Sequence, residues 1–402
     1  MPLDLEKHLV LNKFLLHQFG YEEFDKLRED FNNIAIGYDD TGRSYIVNRL
    51  IGNNLQVGEQ ELLRYDEVIK EYEERLRTNR NEINLNLKYF QYFAVLFTEF
   101  YFDSLSNNKQ AFLEAINAFS VDYGAKSNIP VLVFLEQDLK KLAFWMATGS
   151  GKTLLMHINY WQSLKYFPDW DNIILITPNE GLSKQHYEEY LLSGLPAKQY
   201  NGSEESLKTK DNEILIIEIT KLTEEKTGEG LSIDISFFSE SNNLVFIDEG
   251  HKGQSSFEQS WKKKREALSE NGFTFEYSAT FGQVINQARN VLLEEYSKSI
   301  IFDYSYKYFY SDGYGKDFFT YNLREGDYSH EQRHLLLTAS LLNYYEQVVL
   351  FEKFPELCKE YNIEKPLWIF VGSKVIGKAK PTKDGEKSIS DVIEITKYLS
   401  TM

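Results

Sequence analysis

The apolar positions of this chain change their period twice. Between Gln60 and Arg80, Leu62, Leu63, Val68, Ile69 and Leu76 recur at near-helical spacing among Glu, Lys and Arg, and Leu87 to Phe102 is a strongly aromatic amphipathic stretch. Residues 1–125 therefore read as a mainly helical region, interrupted at Gly37-Tyr38-Asp39-Asp40-Thr41-Gly42-Arg43-Ser44 by a turn between short strands. From about 126 to 310, short unbroken apolar runs alternate with helical pattern. Leu142 to Met146, Asn172 to Thr177, Ile214 to Ile219, Leu244 to Ile247 and Phe273 to Tyr277 predict strands, and their continuous apolar character predicts a parallel sheet covered on both faces by crossover helices. The expected fold class is thus α/β.

Beyond this block the pattern thins. An aromatic stretch from Tyr304 to Tyr314 leads into a connector, residues 311–365, whose segment from Glu331 to Phe354 reads as helix. Pro366 to Ser373 predicts a new buried strand and Asp391 to Leu399 a helix. One strand and one helix do not bury a core, so 366–402 is expected to be the opening of a domain that this chain does not complete.

Composition narrows the function classes. The chain has 61 acidic and 44 basic residues and a formal charge of −17, so long-range attraction to a polyanion requires local concentrations of Lys and Arg. Its one cysteine, Cys358, excludes an intramolecular disulfide and a cysteine-based zinc site and fits a reducing compartment. The start of the chain lacks a basic segment leading into an apolar run, and no stretch approaches the ~18 apolar residues needed to span a bilayer. These features point to the cytoplasm and away from a membrane.

Candidate chemistry sits at the ends of the predicted strands, where ligands of open parallel sheets bind. After Leu142 to Trp145 comes Met146-Ala147-Thr148-Gly149-Ser150-Gly151-Lys152-Thr153. A strict phosphate-binding loop has Gly where Met146 stands, but Gly149, Ser150, Gly151, Lys152 and Thr153 keep the part that wraps a β-phosphate. Glycines let the backbone approach phosphate oxygens and take positive φ. Lys152 is expected to bridge the β- and γ-phosphates of ATP, and the Thr153 hydroxyl to ligate Mg²⁺. About a hundred residues on, Leu244 to Ile247 delivers Asp248 and Glu249 to the same edge, where a metal would offset the repulsion between the two acids. Ser278-Ala279-Thr280 follows the last strand, with hydroxyls able to bond the acidic motif. Thr177, Pro178 and Asn179 end another strand and suit contact with a nucleic-acid backbone; the same residues read equally well as a helix cap with Pro near the helix start. Trp261-Lys262-Lys263-Lys264-Arg265 reads either as a phosphate grip or as a solvated helix face, and the Tyr-rich 304–314 stretch either as base-stacking or as core.

In this order, "MATGSGKT", "TPNEGLSKQH", "IDEGHKG" and "EYSATF" resemble the motifs of superfamily 2 helicases, and their wording is similar to the restriction branch, the type III Res subunits and the related motor of type I enzymes. "PLWIFVGS" resembles the first strand of a second RecA-like domain. The resemblance covers about 140 to 402 and implies a P-loop NTPase with a RecA-like ATP-binding domain over 126–310 and the start of a truncated second RecA-like domain over 366–402. It implies an ATP- and Mg²⁺-dependent DNA translocase acting on duplex DNA, with a methyltransferase or specificity subunit as partner. By matching position, Asp248 holds Mg²⁺ through water, Glu249 polarises the attacking water, Thr177 and Pro178 touch the nucleic-acid backbone, and His251 and Thr280, with Ser278, couple hydrolysis to movement. The adenine-reading Gln of the family falls at Gln91, about sixty residues before the phosphate loop. The arginine finger of the second domain and a Pro-Asp…Glu-x-Lys nuclease constellation do not occur in the chain, so weak hydrolysis and no cleavage are expected of it. The alternatives from the same residues are an RNA helicase and a nucleotide-switched binding subunit without turnover.

Overall fold

The predicted apolar runs pair as strands of one parallel sheet. In the computed structural model, which describes residues 5–223, 232–249, 264–265, 267–288, 290–315, 330–360, 363–369 and 391–400, the strands are β1 (Lys141–Met146), β2 (Asn172–Thr177), β3 (Ala197–Gln199), β4 (Ile214–Glu218), β5 (Leu222–Thr223), β6 (Ile233–Asp234), β7 (Asn243–Asp248), β8 (Phe273–Ser278) and β9 (Ile300–Tyr304). Seven of them form one sheet in the order β3-β4-β2-β7-β8-β1-β9, and β5 pairs with β6 beside it. Every pair is parallel. Two sheet members escaped the sequence reading. β3 has three residues, two of them polar, and β9 runs directly into the aromatic stretch that follows it.

Alternate residues of each strand enter different cores, which is why the strands are apolar throughout. Phe144, Leu175, Phe246 and Phe275 face one side, with the helices α1 (Leu5–His8), α2 (Val10–Gln18), α3 (Phe24–Phe31), α4 (Tyr45–Leu50), α5 (Glu59–Arg80) and α6 (Tyr89–Ser127) contributing to that core, α1 excepted. Ile174, Ile217, Val245 and Ile247 face the other. Nearer β1 on that second side, Ala143 and Ile300 meet Leu5 and Leu9 from the chain start.

α6 is the element that joins the helical region to the sheet. In its first half Tyr89, Phe90, Tyr92, Phe93, Ala94, Val95, Leu96 and Phe97 are all buried, so it is enclosed on nearly every side. Such a helix needs partners all round. It finds the sheet below, with Phe90 stacked 3.9 Å from Tyr304 and Phe102 edge-on to Phe273 and Phe275 at 5.1 and 5.7 Å. It bends at Asn108, whose φ of −158° breaks the helical run.

The remaining helices are α7 (Lys152–Tyr166), α8 (Glu180–Leu192), α9 (Glu204–Leu207), α10 (Phe281–Ala288), α11 (Asn290–Ser299), α12 (Tyr306–Ser311), α13 (His330–Lys353), α14 (Pro355–Glu360) and α15 (Asp391–Ser400). The turn expected at 37–44 is present, closed by an antiparallel bridge between Tyr38 and Ser44.

The chain divides into two units, residues 1–317 and 318–402. The described part of the second consists of α13, α14, α15 and the segment 363–369. Pro366 to Ile369 form no strand there, and Leu367 and Ile369 are exposed, because among the described residues no neighbour runs alongside to complete a ladder. Positions 370–373 of that predicted strand lie outside the described residues.

The described end of the basic run, Lys264 and Arg265, departs from both readings given to it. Trp261 to Lys263 lie outside the described residues, but Arg265 is buried, bonded to Glu276 on β8 at 2.8 Å and to Glu295 on α11 at 2.5 Å, with Lys141 completing the cluster at 3.0 Å from Glu276. Lys264 donates to the Leu222 carbonyl. A carboxylate on a covered sheet face demands cations, and these residues supply them.

Candidate nucleotide site

β1, β8, β7 and β2 end side by side, and the register is tight: Trp145 is level with Ser278, Asp248 with Tyr277, and Ile247 with Ile176. The four motif segments therefore share one edge of the sheet. Leaving β1, the backbone turns sharply, with Gly149 and Gly151 at φ of +85° and +92°. Side chains rarely adopt that conformation, which is the reason for glycine at both positions. Ser150 secures the turn, its N–H and Oγ both donating to the Ala147 carbonyl at 3.2 and 2.7 Å. α7 begins at Lys152, so the unpaired N–H groups of its first turn face the loop.

Lys152 lies in this loop with its Nζ donating to the carbonyls of Met146 and Ala147 at 3.2 and 3.4 Å. Burial lowers its pKa, while the carboxylates of Glu249 and Asp248 act in the opposite direction. The sheet register thus brings to one edge an ammonium and two acids that stand about a hundred residues apart in sequence. Thr153 is half-buried in the first turn of α7. Glu249 sits just past β7 at φ +56°, its N–H donating to the Tyr277 carbonyl at 2.8 Å. Asp248 is bonded through Oδ2 to His186 Nε2 of α8 at 2.9 Å, a partner the sequence did not signal.

Gln91, at the start of α6, reaches the loop directly. Its Nε2 donates to the Ser150 carbonyl at 2.9 Å and its Oε1 accepts from the Lys88 N–H at 2.9 Å. A Cβ at Gly151 would overlap the Gln91 amide and displace it from the loop, so the second glycine, demanded by its φ, also leaves room for this contact. The helical region, in which the sequence reading found no chemistry beyond Gln91, thus braces the phosphate loop.

The other predicted residues take varied places. The Ser278 Oγ accepts from the Thr280 N–H at 3.0 Å, and Trp145 Nε1 donates to the Ala279 carbonyl at 3.1 Å, tying the hydroxyl motif to β1. Thr177 is buried and its Oγ1 is 2.5 Å from Ser183 Oγ. Pro178 is half-buried, and the exposed Asn179 caps α8 by accepting from the Leu182 N–H at 2.9 Å. The cap reading of this loop is therefore realised in its hydrogen bonds. His251 lies outside the described residues. In the Tyr-rich stretch Tyr304 and Tyr308 are core, whereas Tyr306, Tyr310 and Tyr314 are exposed, with the Lys88 ammonium 3.7 Å from the Tyr314 ring centre.

An ammonium, helix-start N–H groups, a threonine hydroxyl and a carboxylate pair match the donors that a triphosphate and its Mg²⁺ require. Among the described residues no three His, Cys, Asp or Glu side chains gather as a metal cage.

Residues 102–283 match the family described as type III restriction enzyme, res subunit. Comparison with curated proteins gives no match. Among solved structures the chain is similar to the UvsW helicase from bacteriophage T4, at 14% identity over 42% of this chain and 54% of that one with a TM-score of 0.30. It is also similar to the Sulfolobus solfataricus SWI2/SNF2 ATPase core in complex with dsDNA, at 15% identity over 42% and 34% with a TM-score of 0.29. The chain therefore spans about half the length of the first and a third of the second. The matched stretch, residues 102–283, holds β1 to β8 and the motif-bearing edge, so this part of the chain is similar to a type III restriction enzyme res subunit.

Proposed function

We propose that the chain is the ATP-hydrolysing part of a DNA translocase of the type III restriction Res kind, with Lys152, Thr153, Asp248 and Glu249 as one ATP·Mg²⁺ site. The observation that carries this reading is that β1, β7 and β8 end side by side, so that the Lys152 loop with its two left-handed glycines and the acids Asp248 and Glu249 share one sheet edge. Lys152, whose Nζ now donates to the Met146 and Ala147 carbonyls, would offset the charge of the β- and γ-phosphates. The α7 N–H groups and Gly149 to Gly151 cradle the β-phosphate. Magnesium, when bound, neutralises phosphate charge and is held by Thr153 and Asp248. Glu249 orients the attacking water and takes its proton. Gln91 holds the loop and reads the adenine with its remaining hydrogen-bonding capacity.

The polymer is duplex DNA, contacted at the Thr177–Asn179 loop, and the partner is a methyltransferase or specificity subunit. The Res family match supports DNA over RNA. The test combines binding and turnover. Lys152→Ala abolishes binding of ATP measured by calorimetry, and wild-type hydrolysis rises more with duplex DNA than with single-stranded DNA or RNA. Unchanged ATP affinity in the variant refutes the site, and stimulation by RNA alone refutes the choice of polymer.

A further inference from the structure

α8 touches three parts of the site along a single face. At its start, Ser183 Oγ bonds Thr177 Oγ1 at 2.5 Å and donates to the Asn179 carbonyl at 3.2 Å, so the first turn is fastened to the loop that ends β2. One turn on, His186 is buried with Nε2 2.9 Å from Asp248 Oδ2. A further turn on, Tyr190 is buried with its ring 4.6 Å from His157 of α7, and His157 Nδ1 is 2.8 Å from Ser193 Oγ at the helix end. Ser183, His186 and Tyr190 are spaced by three and four residues, the interval that stacks side chains on one helix face.

The chemistry of the His186 contact has one direction. A carboxylate only accepts, so Nε2 carries the proton and donates. Nδ1 is buried with no hydrogen-bond partner among the described residues, so nothing else holds this ring in its orientation by a hydrogen bond. The bond therefore occupies one oxygen of Asp248, Oδ2. A group behind a metal-binding carboxylate in this way fixes its orientation and tunes the metal.

We propose that His186 is a positioning residue that orients Asp248 for Mg²⁺ and transmits nucleic-acid occupancy of the Thr177–Asn179 loop to it through α8. A displacement of the loop moves Ser183, and with it His186, because the helix between them is rigid on the scale of one turn. Linkage makes the effect reciprocal: if DNA strengthens Mg²⁺ binding, Mg²⁺ with nucleotide strengthens DNA binding by the same factor.

The inference rests on the ATP·Mg²⁺ reading above, and the experiment separates the two. The full chain is titrated with a fluorescent ATP analogue at rising Mg²⁺, with and without a short DNA duplex, as wild type, Lys152→Ala, His186→Ala and His186→Gln. In His186→Ala the Mg²⁺ concentration for half-saturation rises about 10-fold, the size of effect seen when a partner behind a metal ligand is lost. Nucleotide affinity without Mg²⁺ stays at the wild-type value, the shift that DNA causes in wild type disappears, and His186→Gln, whose amide still donates, restores most of both. Wild-type Mg²⁺ half-saturation in His186→Ala, or an intact DNA shift, overturns the inference, as does equal loss of Mg²⁺-free affinity and thermal stability in both His186 variants. A wild-type chain without Mg²⁺-dependent binding, or a Lys152→Ala chain that binds normally, overturns the underlying site as well.

Discussion

Glu249 shows how much a single residue is asked to do. A non-glycine residue in the left-handed region costs about 1 kcal/mol or more, and this one is held there by the bond from its N–H to the Tyr277 carbonyl. Strain of this kind persists where the surroundings over-determine the backbone, and here the neighbours are the strand end, Lys152 and Asp248. Replacement by glutamine keeps the shape and removes the carboxylate proposed above as the proton acceptor. Glu249→Gln is therefore expected to bind ATP as wild type while its hydrolysis falls by roughly 10²-fold or more, the contribution of a positioned general base. Single-turnover measurement beside equilibrium binding checks this, and undiminished turnover counts against the assigned role. At this scale the glycines, Lys152 and the acids were legible from residue type and spacing. His186 was not, since a histidine within a helical stretch carries no local sign of which carboxylate it meets.

Among the elements, α6 does most to hold the domain together. Gln162 of α7 donates to the Val95 carbonyl and the Glu99 carboxylate of α6 at 3.0 and 2.8 Å, while Phe97 lies edge-on to Phe302 at 5.7 Å and stacks on Phe19 at 5.3 Å. Phe97 is fully buried between the helical region and the sheet. Phe97→Ala is expected to destabilise by about 3–5 kcal/mol, the cost of emptying such a site, and chemical denaturation measures it. A loss below about 1 kcal/mol would mean that the helical region and the sheet do not share a core. The aromatic density of Leu87 to Phe102 announced an amphipathic helix. That it is buried on nearly all sides was hidden, because the local pattern does not say how many neighbours a helix meets.

For the whole molecule, the buried charges set a pH response. Asp303 on β9 is fully buried, and loss of solvation raises its pKa to about 7 against the bond it accepts from the Ser305 N–H. In the unfolded chain the same carboxyl ionises near its ordinary value of 3.8. Between about pH 4 and pH 7 the folded state therefore holds the proton that the unfolded state has released, so this group's contribution to stability falls as pH rises through that window and is flat outside it. Asp303→Asn removes the term. The stability of the variant relative to wild type should rise from pH 4 to pH 7, as read from denaturation midpoints across that range, and a pH-independent difference would show that Asp303 does not titrate there.

What the sequence by itself determined were the features written in short windows: strand runs by continuous apolarity, helices by period, and a tight turn by the glycines ahead of Lys152 and Thr153. These depend on backbone geometry and on burial of neighbouring side chains, both of which local order encodes. Tertiary structure alone decided that Gln91 braces the loop from the helical region, that Arg265 neutralises Glu276 inside the fold instead of facing a polyanion, and that His186 lies behind Asp248. Each of these is a hydrogen bond or ion pair between residues 11 to 62 positions apart, set by how helices cross a sheet. Such contacts satisfy polar groups that burial has cut off from water, and which groups are cut off is known only once the chain has packed.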